Sequence, residues 1–191
     1  TPQARFMNQV IDVFDRGGIV VYPTDAGYSM GCHALKKSAV KKLYHMKRKS
    51  KKYTMTLMVH DFSTIDRFAE LESSDYRYMK HLLPGPFTFI LPTTKQGMKI
   101  LDVRRHEIGI RMPDHPFFRT LHELCDFPIL NTSAKLHGDD ILVDPQEIES
   151  RLSGSVDLVV DMGQIPLNDT TIISMVDGAP EVIRQGAGEV L

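Results

Sequence analysis

The stretch from Val20 to Gly31, VVYPTDAGYSMG, constrains the fold more than any other part of the chain. Ile19, Val20, Val21 and Tyr22 form a β-branched and aromatic run, the composition of a buried strand. Pro23 has no N–H to give a central ladder, so the strand is expected to end there. Thr24, Asp25, Gly27, Tyr28 and Ser29 then read as a loop closed by Gly31. Hydroxyls, a carboxylate and free backbone N–H groups just past a strand's C-terminal end are what open α/β sheets offer to ligands. An ordinary strand-to-helix connection uses the same residue types.

The rest of the chain alternates between helical and extended patterns. Phe6, Val10, Val13 and Phe14 predict a helix over Gln3–Arg16, stopped by Gly17-Gly18. Lys36–Met46 reads as a second helix, Asp61–Leu71 as a short helix or turn, and Ser74–Leu83 as a clearer one. Phe117–Leu124, with Phe117, Leu121 and Leu124 inward, and the helix led by Asp144-Pro145 complete the helices. Strands are expected at Thr54–Val59, Phe87–Leu91, Ile108–Met112, Pro128–Leu130, Val156–Val160, Thr171–Val176 and Val182–Arg184. Thr93–Arg105 and Asn131–Leu142 read as polar loops. This order suggests α/β with a mixed, twisted sheet. The 191 residues suit a single domain, and a 42% hydrophobic share suffices for its core.

Several function classes drop out. No run approaches the length of a membrane span, and the opening residues do not read as a signal peptide. Cys32 and Cys125 match no zinc spacing and are expected as free thiols of a reducing cytoplasm. The histidines lack i,i+4 zinc pairing, so no metal site is expected. There is no P-loop, no G-x-G-x-x-G and no certifiable nucleophile–His–Asp set. An enzyme of this composition would work by positioning and electrostatics.

Charge is the strongest physical signal. The net charge is only −1, yet no acidic residue lies between Asp25 and Asp61. That interval holds Lys36, Lys37, Lys41, Lys42, Lys47, Arg48, Lys49, Lys51 and Lys52. A solvated helix face normally interleaves acids with such cations. Their absence predicts an uncompensated field suited to polyphosphate or an RNA backbone. Further polar groups sit within or beside strands: Thr88 in PFTFIL, Arg111 ending IGIR, Ser133 in NTSAK and Arg184 in VIRQGAG. Arg111 could fork onto a carboxylate or phosphate, or form a structural ion pair. His60 follows the strand TLMV.

Taken in order, these pieces resemble the YrdC/YciO family, the threonylcarbamoyl-AMP synthases and their relatives. The family's PTDTVYGLG is matched by PTDAGYSMG at Pro23–Gly31, and its PGPLTLIL by PGPFTFIL at Pro84–Leu91. IGIRMPDHP at Ile108–Pro116, TSAK at Thr132–Lys135, TTIIS at Thr170–Ser174 and IRQGA at Ile183–Ala187 follow. The pattern is closest to the YciO branch, with Ala26 and Lys135 replacing a family threonine and asparagine.

The resemblance implies one YrdC-like domain over residues 1–191: a twisted mixed sheet with flanking helices and a large electropositive concave cleft. It implies ATP, L-threonine and bicarbonate as ligands, Mg²⁺ accompanying ATP, and a place in tRNA threonylcarbamoyl-adenosine modification. The alternative it leaves is a relative that holds double-stranded RNA, tRNA or nucleotide without this chemistry. By position, Thr24, His60, Thr88, Arg111 and Thr170 would hold the amino acid. Lys47, Lys49, Ser133 and Arg184 would meet nucleotide or phosphate. Lys41, Lys42, Arg48, Lys51 and Lys52 would form the anion patch. A monomer or dimer in the cytoplasm is expected.

Overall fold

A computed structural model describes residues 4–47, 55–101, 106–136 and 140–190. Helix α1 (Ala4–Asp15) leads into a hairpin of β1 (Val20–Thr24) and β2 (Gly27–His33), then α2 (Lys37–Met46). Next come β3 (Thr56–Met58), α3 (Phe62–Phe68), α4 (Ser73–Lys80), β4 (Phe87–Pro92), α5 (Lys95–Leu101) and β5 (Glu107–Arg111). The chain closes with α6 (Pro116–Leu124), β6 (Ile129–Ser133), α7 (Pro145–Leu152), β7 (Leu158–Val159), β8 (Thr171–Ser174) and β9 (Glu181–Arg184). The strands form one mixed sheet in the order β7-β1-β2-β6-β3-β5-β4-β8-β9. β1–β7, β3–β5 and β4–β8 are the parallel pairs.

The two faces of this sheet differ. Successive side chains along a strand point to opposite faces. Tyr28, Met30, Cys32, Leu57, Phe89, Ile110, Leu130 and Ile173 share one buried cluster with Val40 and Leu43 of α2, Phe68 of α3, Met79 of α4 and Ile148 of α7. The other face is apolar only in part. There Val20, Tyr22, Met58 and Ile129 meet Val10 and Phe14 of α1 and Phe117 and Leu121 of α6. Farther along that face the alternating positions are polar: Ser29, Asn131, Ser133, Thr56, Arg111 and Thr88 all line one cleft.

The stretch 24–31 is a hairpin and not a loop. β1 runs through Pro23 to Thr24; β7 covers only Val20 and Val21 on its outer flank, so a missing donor at Pro23 is tolerated. Thr24 Oγ1 donates to Gly27 O (2.7 Å) and accepts from Ala26 N–H (3.1 Å). Gly27 takes φ +109°, and the turn tightens to Asp25-Ala26. Tyr28, Met30 and Cys32 then alternate into the core.

Other expectations also shift. The stretch expected as a loop from Thr93 holds α5. Thr94 Oγ1 accepts from Gly97 N–H at 2.9 Å, the bond of a helix N-cap. Gly97 is needed because a Cβ there would collide with the carbonyl of Phe68. Asn131–Ser133 belong to β6 and not to a loop; all three pair with β2, and Asn131 also pairs with Thr56 of β3. Leu124 is 46% exposed; Phe118 takes the inward place instead. The expected strand over Val156–Val160 pairs only at Leu158 and Val159.

A cleft on the open face of the sheet

The polar face forms a cleft of about 330 Å³. Its lining comes from β2, β3, β4, β5, β6, β8 and β9 together with Ala26, Ile141, Leu167, Asp169 and Thr170. A roomier groove of about 450 Å³ runs beside α3 and α4, lined by Phe62, Leu71 and Tyr76 among others. It gathers no set of buried polar groups, whereas the cleft gathers buried Ser29, Thr88, Arg111, Asn131 and Thr170. The cleft is therefore the candidate site.

Arg111 ends β5 and is 4% exposed. Its guanidinium pairs with Asp25 at the hairpin turn. The other Asp25 oxygen accepts from Asp114 N–H at 3.3 Å. Burial pulls the Arg111 pKa below its ordinary value, and the Asp25 carboxylate opposes the shift. Arg111 Nε is buried and has no hydrogen-bond partner among the described residues. Thr88 and Thr170 hydroxyls lie 2.8 Å apart, and either can donate. Arg184 donates from Nε (3.3 Å) and Nη2 (2.9 Å) to Thr170 O, and its Nη1 stands 3.5 Å from Asp169. Thr171 Oγ1 ties the final loop by donating to Gly188 O and accepting from Gly186 N–H.

The structure thus brings Thr88, Arg111, Ser133, Thr170 and Arg184 to one cleft. It places the other expected residues elsewhere. Thr24 is 1% exposed and closes the hairpin turn. His60 does not line the cleft; its Nε2 is 3.0 Å from Asp61, and its ring stacks on His122 at 4.3 Å. Lys47 is 1% exposed, its ammonium donating to Ser133 O (3.0 Å) and Lys135 O (2.7 Å). Lys42 is compensated after all, by Asp157 at 2.7 Å from 115 residues away in sequence. Lys41 is exposed on α2. Arg48, Lys49, Lys51 and Lys52, four of the nine cations between Asp25 and Asp61, lie outside the described residues.

Sequence reading missed Thr56, Asn131 and Asp169 as lining residues, and it placed Ser29 in a loop where the structure has it on β2. For Ser29, Asn131 and Ser133 a signal existed. Each alternates with residues of the apolar face: Tyr28 and Met30 around Ser29, Leu130 and Ala134 around the β6 pair.

The fold is a twisted mixed α/β sheet that carries a polar cleft on its open face. Comparison with known proteins makes this specific: the chain belongs to the Sua5/YciO/YrdC family, whose model, described as telomere recombination, matches residues 12–186. It is 36% identical to the uncharacterized protein YciO of Escherichia coli (strain K12), over 99% of this chain and 93% of that one. The crystal structure of E. coli YciO superposes with a TM-score of 0.89, covering 100% of this chain and 93% of that one. A Methanocaldococcus jannaschii protein provisionally named threonylcarbamoyl-AMP synthase is 33% identical over 89% of this chain and 80% of its own length. The fold is shared with P. abyssi Sua5 complexed with L-threonine, at TM-score 0.88 and 22% identity, over 97% of this chain and 55% of that one. Among the described residues no helix is long and apolar enough to cross a membrane.

Proposed function

We propose that this chain is a threonylcarbamoyl-AMP synthase-like protein that binds ATP, L-threonine and bicarbonate in its cleft. The observation that carries the reading is Arg111, a nearly buried guanidinium that lines a cleft of hydroxyls and has an unpartnered Nε. A planar fork held in low dielectric suits an amino-acid carboxylate, which it can bind through two parallel hydrogen bonds. Asp25 keeps that charge compensated until a ligand carboxylate competes for it. The Thr88–Thr170 pair supplies neutral hydroxyls for the rest of the amino acid. Arg184 and Ser133 are the residues we assign to the nucleotide's phosphate and its surroundings. Mg²⁺ enters this reading as MgATP, part of the substrate. Asp169 is the carboxylate that lines the cleft, and no trio of metal-ligating side chains gathers among the described residues. Joining threonine, bicarbonate and ATP into threonylcarbamoyl-AMP releases water from the bicarbonate and pyrophosphate from ATP, and the chain's contribution is charge placement.

The test is pyrophosphate release with MgATP, L-threonine and bicarbonate, alongside calorimetric titration of ATP and then threonine. Release above background, with each ligand strengthening the other, is the expected result; background release without a threonine response overturns the reading. Arg111→Lys should weaken threonine binding by about 1–3 kcal/mol.

The exposed lysines Lys37 and Lys41 on α2 favour a second reading, a nucleotide- or RNA-holding relative without this chemistry. It requires RNA binding that falls steeply with salt.

A further inference from the structure

One side chain on the cleft floor has no part in the reading above. Asn131 lies in β6, opposite Gly31 of β2 and Thr56 of β3. It is 6% exposed and lines the cleft. Its Oδ1 accepts a 2.8 Å hydrogen bond from the hydroxyl of Tyr22, which belongs to β1, two strands away.

The direction of that bond follows from the neighbours. The Tyr22 hydroxyl has a single hydrogen and two acceptors in reach, Asn131 Oδ1 at 2.8 Å and Met58 Sδ at 3.4 Å. An amide oxygen is a strong acceptor and a thioether sulfur a weak one, so the hydrogen goes to the amide. Burial pushes the Tyr22 pKa well up, which keeps the phenol protonated. The ring is fixed by stacking on Phe117 at 5.8 Å and by an edge contact with Phe14 at 6.4 Å. Its path across β2 is open because the intervening residue is Gly31, where a Cβ would stand 2.7 Å from Tyr22 Oη. With Oδ1 held on the Tyr22 side, Nδ2 is the atom left for the cleft, and no described residue accepts from it.

The surroundings select the ligand class. On its own strand and the two beside it the cleft floor carries Ser133, Ser29 and Thr56, which are neutral. The cations, Arg111 and Arg184, come from β5 and β9. Doubly charged phosphate is best held by cations, whereas a neutral amide among hydroxyls suits a singly charged, planar oxygen acid.

We propose that Asn131 is a ligand-binding residue, its Nδ2 donating to a planar monoanionic oxyanion, either bicarbonate or a carboxylate, with Tyr22 as the positioning residue that fixes the amide. The proposal rests on the cleft being the ligand site of the reading above, but it needs neither ATP nor turnover.

The test follows the ¹⁵N side-chain amide signals of the whole chain during titration with sodium bicarbonate, with sodium acetate, and with sodium chloride at matched ionic strength. The Asn131 NH₂ pair should shift saturably with one or both oxyanions and not with chloride; the tighter of the two identifies the source. Tyr22→Phe removes only the hydroxyl and should weaken this binding about fivefold, the scale of one hydrogen bond. Asn131→Ser, which shortens the donor and has no side-chain amide to follow, should abolish the binding as read by calorimetric titration with the same oxyanion, and circular dichroism of both variants checks that they are folded. Shifts that chloride reproduces, or a folded Tyr22→Phe variant that binds as tightly as the wild type, overturn the proposal. A saturable shift without pyrophosphate release overturns the synthase reading and leaves this proposal standing. Release without the shift does the reverse.

Discussion

The Asp25–Arg111 pair joins the hairpin turn to the end of β5, and replacing Asp25 with alanine tests what holds the cleft together. The Arg111 side chain is 5% exposed and that of Asp25 13% exposed. Removing the carboxylate leaves a guanidinium in low dielectric with no counter-charge and with Nε already unpartnered. Breaking a buried pair from one side costs about 3–5 kcal/mol. Asp25 retains some exposure, so water can enter in its place, and the low end, about 3 kcal/mol, is expected. For a chain of this size that lowers the melting temperature by about 6–12 °C. Removing the cation instead, by Arg111→Met, leaves the partly exposed carboxylate free to hydrate and costs less. The double variant, with neither charge present, should recover most of the Asp25→Ala loss. The chain has no tryptophan, so urea unfolding is followed by far-ultraviolet circular dichroism. An Asp25→Ala variant within about 0.5 kcal/mol of wild type at unchanged urea dependence, the scale of an ordinary surface substitution, refutes the reasoning.

Two further expectations concern stability. Burial is the main cause that lowers His122 to about 4, and neighbouring His60 adds to it. The unfolded chain therefore takes up a proton near pH 6.5 that the folded chain refuses, and stability falls as the pH drops from 6.5 toward 4, by roughly 3 kcal/mol in all. His122→Phe should remove most of that slope in urea midpoints measured across the window, and an unchanged slope would count against it. At Gly31 an added Cβ would lie 2.6 Å from Ile129 Cγ2 and 2.9 Å from Leu130 O. Gly31→Ala should cost about 1–3 kcal/mol by overpacking; a variant as stable as wild type would show that β2 and β6 can separate.

The helices that announced themselves did so through local chemistry. Asp144 caps α7 with Pro145 in its first turn, and the apolar spacing of α1 buries Met7, Val10 and Phe14. Two of the errors fell where a glycine serves a distant contact. Gly97 reads as a loop residue until Phe68 of α3 is seen behind it, and Gly27 and Gly31 mask the alternation of β2. In the cleft, Arg111 and Ser133 were legible because each sits in a motif of its own. Asn131 showed in its alternation with Leu130, but its nearness to Thr56 did not, because the two become neighbours only through the register of β3 on β6. His60 was misplaced for the same kind of reason: its partners are Asp61 and His122, the latter on α6.

The position of β6 between β2 and β3 has a consequence for synthesis. Ser29 waits for a pairing partner that emerges about a hundred residues later, at Ser133. Thr170 and Arg184 arrive later still. The nascent chain can form its hairpin and first helices early, but a ligand meets a finished cleft only once the residues through β9 have been made. Long-range pairings of this kind are slow to form. A fragment ending before β8 would carry Arg111 and Asp25 with no opposite wall, and it would expose the edge of β4 that β8 covers.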